Sequence, residues 1–147
     1  MAEATIASVT ADMNASFNTY VAELKQAQSV WETKPAAGDG EEAWSSRQVA
    51  EHIAGATTFF TGRIAAAVGV QPSAPQQFQF GSASEALTAT EGAYGSLMAV
   101  AAHVKDAQLA DEIELPRLGK HTVGGLLALI AYHMKDHANQ LKTLRGA

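Results

Sequence analysis

The chain has 147 residues, 47% of them apolar and 17% charged, with a net charge of −5 and no cysteine. A chain of this length buries roughly 68–70% of its extended surface, which predicts one domain spanning residues 1–147 with a real core. The acidic balance and singly scattered basic residues argue against a phosphate-backbone partner, and the missing thiols exclude disulfides, zinc–thiolate sites and a cysteine nucleophile. The opening MAEATIASVT lacks a basic segment ahead of an apolar one, and the longest apolar run, LLALIAY (126–132), is too short to span a bilayer. These features predict a cytoplasmic protein with no membrane partner.

Apolar residues recur at helical spacing in four stretches. The first steps through Ile6, Val9, Met13, Phe17, Tyr20, Leu24 and Ala27. A loop dense in Pro, Gly and acid follows at 32–43. WSSRQVAEHI then reads as a helix start, with Ser45 and Gln48 forming a capping box and Trp44 placed to pack on Val49. This second helix continues through Ile53, Ala56, Phe60, Ile64 and Ala67.

Pro72 and Pro75 break the segment 69–83. A third helix is predicted over 84–108, with Leu87, Tyr94, Leu97, Met98, Ala101 and Val104 inward. The segment 109–121 reads as irregular, with a short extended piece at 112–115. Thr122 can cap a fourth helix reaching Leu144. The pattern predicts an all-α four-helix bundle. About fifteen residues between helices two and three extend far enough to cross a full helix length, so up-down-down-up is possible beside plain up-down-up-down.

In the last helix the inward stripe runs Val123, Leu126, Ile130, then Leu141 and Leu144. Stepping by three or four from Ile130 to Leu141 lands on His133 and His137. Two imidazoles on the core face need partners, or they can converge on one ion. His52, beside Val49, Ala56 and Phe59, is a third candidate. It lies about 10 Å into helix two, and His137 lies about 10 Å from the end of helix four. If those helices are antiparallel neighbours, the three rings meet at one level. His103 falls off its stripe, and His121 stands in a loop before the last cap.

The segments WSSRQVAEHIAG (44–55), ELPRLGKHTVGGLLALIAYH (114–133) and HMKDHANQL (133–141) together resemble the DinB/YfiT-like superfamily of metalloenzymes. The shared features are a Trp-Ser helix start with a histidine seven residues past the serine, an LP…G…T approach to the last helix, and H-x-x-x-H-x-x-Q-L. The resemblance spans nearly the whole chain. It implies an up-down-down-up bundle, a divalent metal held by His52, His133 and His137, and a homodimer. Gly125 departs from it, standing where many members carry an acidic residue.

Three neutral ligands leave a coordination position open, the mark of catalytic zinc, and nickel accepts the same ligands. The resemblance implies either transfer or isomerisation with a low-molecular-weight thiol or hydrolysis of a small molecule. Any thiol would come from a cosubstrate. The alternative is a non-catalytic metal-binding or structural bundle. Glu51 and Asp136 adjoin ligands and are expected to face solvent or to orient a ligand, while Gln140 and Arg63 are pocket candidates. Tyr94 and Tyr132 are expected to pack. The absence of Glu-x-x-His disfavours a di-iron site, and c-type haem attachment is impossible without Cys-x-x-Cys-His.

Overall fold

The computed structural model describes residues 4–146. Its helices are α1 (Ile6–Leu24), α2 (Ser46–Ala67), α3 (Ala83–Ala101) and α4 (Val123–Leu144), and a hairpin of β1 (Glu112–Leu115) and β2 (Gly119–Thr122) precedes α4. Single 3-10 turns occupy Gln28–Val30, Gly40–Ala43 and Asp106–Ala110. Each long helix starts on a side-chain oxygen that takes an otherwise orphaned backbone N–H: Thr5, Ser45, Ser82 and Thr122. Such caps contribute about 1 kcal/mol each. At Ser45 the reciprocal Gln48 bond completes the box expected from the sequence.

Contacts between helix ends give the directions. Arg145, just past α4, pairs with Glu23 at the end of α1 at 2.9 Å, so α1 and α4 run parallel. The Gln28 side chain, just past α1, accepts the Ala83 N–H at the start of α3. Asp106, just past α3, accepts the Ile6 N–H at the start of α1. α3 therefore opposes α1. Glu41, just ahead of α2, accepts from Gln140 near the end of α4, and His52 meets His133 at the middle of α4, which makes α2 antiparallel to α4. The bundle is up-down-down-up.

That topology requires a long crossing between α2 and α3, and the chain supplies it as a strap laid along α2. The strap is tied by the Phe80 N–H to Glu51 (2.8 Å), the Gln76 N–H to Thr58 (2.9 Å) and the Trp31 indole N–H to the Phe80 carbonyl (3.0 Å). Gly62 permits the close approach, since a Cβ there would lie 2.9 Å from the Ser73 carbonyl oxygen.

Two expectations need correction. α3 ends at Ala101, seven residues short of the predicted 108, because the chain turns there. The N–H groups of His103 and Val104 close back on Val100 and Ala101, Lys105 is extended, and Asp106 is drawn to the start of α1. Long-range capping of α1 thus competes with a further turn of α3. The extended piece at 112–115 has a partner strand that periodicity did not reveal. GKHT carries no apolar alternation, while Ile113 and Leu115 point into the core. A three-residue loop, 116–118, joins them, with positive φ at Arg117 within it (68°) and at Gly119, the first residue of β2 (78°).

Candidate metal centre

His52 is the seventh residue of α2, on the flank of a face built from Val49, Ile53 and Ala56. His133 and His137 sit one turn apart on α4, between Ile130 and Leu141. Antiparallel packing of α2 on α4 brings the three rings together at one level. His133 Nε2 lies 3.0 Å from His52 Nε2 and 3.1 Å from His137 Nε2. One nitrogen from each ring falls within a 4.8 Å set. His137 is 1% exposed, and the other two are half-buried. The Trp44 ring walls the group, 5.0 Å from the His52 ring and 6.3 Å from that of His137.

Gln140 fixes the state of His137. Its Nε2 donates to the Glu41 backbone carbonyl, which turns its Oε1 toward His137 Nδ1 at 2.7 Å. An amide oxygen only accepts, so Nδ1 carries the proton and Nε2 presents its lone pair to the other histidines. Burial, reinforced by His137 and then His52, pushes the His133 imidazole down to about 4. Burial and His137 lower that of His52 as well, against a smaller opposing pull from Glu41. These two rings are neutral at pH 7, the form in which imidazole binds metal.

The arrangement suits a cation better than a proton. One proton on His133 Nε2 can point along only one of its two contacts, leaving the other without a linear hydrogen bond. A metal ion accepts all the lone pairs at once. Two bonds of about 2.0–2.1 Å readily span nitrogens 3.0–3.1 Å apart. The three histidines could therefore hold a metal ion.

A sequence model of the DinB superfamily matches residues 10–141, all but the two ends of the chain. The chain belongs to the DinB superfamily. The solved structure of TT2238, a four-helix bundle protein, is 24% identical to it, with a TM-score of 0.67 over 97% of this chain and 100% of that one. That likeness extends the shared fold over nearly the full chain. Comparison with curated proteins finds no match. Among the described residues no helix is long and apolar enough to cross a membrane.

The other residues singled out in this DinB-superfamily chain fall in different places. Gln140 joins the site through His137. Asp136 lies on the rim of a cleft of about 480 Å³ that also takes in Glu41, Glu42, His137 and Gln140. Glu51 neither faces solvent nor orients a ligand. It accepts from Arg47 and from the Phe80 N–H, so it ties the strap instead. It does edge a second cleft, of about 510 Å³, with His52, Phe59 and Phe78. Arg63 lies over the Phe59 ring at 5.3 Å, about 16 Å along α2 from His52, and takes no part in the group.

His103 is exposed, and His121 in β2 contacts the Leu118 carbonyl through Nε2, ahead of the start of α4, which itself lies about 15 Å from His133. Tyr94 packs as expected, but Tyr132 is 66% exposed, because it lies about 100° around α4 from the His133 stripe. Trp44 faces the imidazoles rather than serving only as a staple. Nothing in the sequence marks Glu41. Its loop shows only acidity in the sequence, and its place beside His52 follows from a contact with Gln140, 99 residues away.

Proposed function

We propose that this DinB-superfamily chain is a metal-dependent enzyme that holds one divalent ion, zinc or nickel, on His52, His133 and His137. It acts on a small molecule as a thiol-dependent transferase or isomerase. The observation that carries the reading is the convergence of three Nε2 atoms from two antiparallel helices. A divalent ion there supplies Lewis acidity that favours the thiolate form of a thiol, or lowers the pKa of a water, that reaches it. The three imidazoles are neutral and cancel none of the ion's positive charge. The chain has no cysteine, so the thiol belongs to a cosubstrate.

The protein's own groups do the positioning. Gln140 holds the His137 tautomer, and Trp44 excludes water from one side of the rings. The clefts at His137 and at His52 give a small substrate two approaches. The same reading makes the protein cytoplasmic and a homodimer, with no nucleic-acid partner for its net charge of −5. Hydrolysis of a small molecule is the companion reaction at the same ion.

A second reading has one observation in its favour: the imidazoles join α2 to α4 in the core, so an ion could act as a structural pin. The two separate on one pair of measurements. The ion-loaded protein is incubated with a low-molecular-weight thiol and a chromogenic electrophile, and in parallel with a chromogenic ester. The enzyme reading expects turnover that His52→Ala abolishes while the circular dichroism spectrum is kept. No turnover of either substrate class, with a sharp fall in melting temperature on chelation, would replace the enzyme by the pin.

A further inference from the structure

We propose that Glu41 supplies a carboxylate oxygen as a fourth protein ligand to the ion held by the three histidines. This rests on the metal-binding part of the reading above.

Glu41 Oε1 lies 3.8 Å from His52 Nε2. A metal–oxygen bond of about 2.0–2.2 Å and a metal–nitrogen bond of about 2.0–2.1 Å add to more than that distance, so one ion can bridge the two atoms. The backbone of Glu41 is tied to the same site. Its carbonyl accepts the Gln140 Nε2–H bond and the Trp44 N–H at 3.2 Å. Gln140 is the residue that sets the His137 tautomer, and Trp44 is the residue that walls His52 and His137. The 3-10 turn at Gly40–Ala43 is thus anchored at the rim of the imidazoles from both sides.

The carboxylate is also uncommitted to a cation. Glu23, Glu32 and Glu51 each pair with an arginine, whereas among the described residues Glu41 has ion-pair contact with His52 alone. Its side chain is 57% exposed, and its carboxylate lies outside the set formed by the three imidazoles, so ligation requires the side chain to swing inward. One carboxylate beside three neutral imidazoles halves the net charge of a divalent centre. Zinc expands from four to five ligands, so a substrate atom still has a place.

Glu42 provides an internal control. It is the next residue, carries the same charge and borders the same cleft, but it makes no recorded contact with an imidazole. The test measures the zinc dissociation constant of the full chain by competition with a chromophoric chelator, for wild type, Glu41→Gln and Glu42→Gln. The visible spectrum of the cobalt(II) form is recorded for each.

The expected result is affinity weakened about 10-fold or more in Glu41→Gln with a changed cobalt spectrum, and both readouts unchanged in Glu42→Gln. Equal affinity and spectrum in Glu41→Gln would overturn the proposal. So would weaker binding with an unchanged spectrum, which would make Glu41 a nearby charge rather than a ligand. In both cases the three-histidine reading would stand. Wild type that binds neither zinc nor cobalt would overturn both together.

Discussion

α1 against α3 and α2 against α4 solve the same packing problem with different rings. Between α1 and α3, Phe17 and Tyr94 stack face to face at 3.9 Å with their planes 4° apart, and the Tyr94 hydroxyl donates to Asn14. The hydroxyl of that pair is served at its edge, though the buried Tyr20 and Thr90 hydroxyls on the same two helices have no hydrogen-bond partner among the described residues. Between α2 and α4 the rings are three imidazoles with six nitrogens. Among the described residues, only His137 Nδ1 has a hydrogen-bond partner outside the trio. Positions on the inward stripe of α4 that would take leucine or phenylalanine are thus given to imidazoles that meet one another through their Nε2 atoms. The first pair is aromatic packing with one hydrogen-bonded hydroxyl. The other gathers lone pairs from two helices that a cation could accept together.

The contrast breaks most visibly on the packing side. Tyr94→Ala should remove about 3–4 kcal/mol of stability, since the ring is 7% exposed, and lower the melting temperature by roughly 6–16 °C. Zinc affinity should stay within about twofold of wild type, and a larger change would show that the two interfaces are coupled. Zinc supplies the opposite case. At a free concentration about 100 times its dissociation constant it should add about 2.7 kcal/mol, or roughly 5–11 °C, and His137→Ala should lose that gain entirely. A gain that persists in His137→Ala would place the ion elsewhere.

Gln140→Leu keeps the bulk but takes away the acceptor for His137 Nδ1. Zinc binding should weaken about 10–100-fold with little change in the melting temperature of the metal-free protein. Unaltered affinity would mean that the tautomer is set without Gln140. The last effect is on pH. His133 is pushed down to about 4 in the fold, against an ordinary value of about 6.5. Between those values the unfolded chain binds more protons, so stability is fullest above about pH 6.5 and falls as pH drops toward 4. In metal-free His133→Asn the slope over this window should be shallower, read as denaturation midpoints at a series of pH values.

Much of this arrangement is legible along the chain because it rests on period and local chemistry. The stripe through Ile130 and Leu141 puts His133 and His137 inside, the box at Ser45 and Gln48 starts α2, and a fifteen-residue joint lets α2 and α3 run parallel. What escapes such reading depends on partners far away in sequence. α3 stops at Ala101 because Asp106 is claimed by the start of α1. β2 exists because β1 pairs with it, not because GKHT is itself a strand former. Glu51, adjacent to His52, turns to the strap through Phe80, and Glu41 reaches the histidines only because Gln140 holds its backbone. Residues that act through a stripe were visible, and residues that act through a loop contact were not.

The most direct test is elemental analysis of untagged protein, wild type beside His133→Ala, each incubated with zinc or nickel and then desalted. The account predicts about one divalent ion per chain in wild type and none retained by the variant. No ion in either protein would leave three histidines lining a bundle for some other reason, and would contradict the metal centre on which the proposed activity depends.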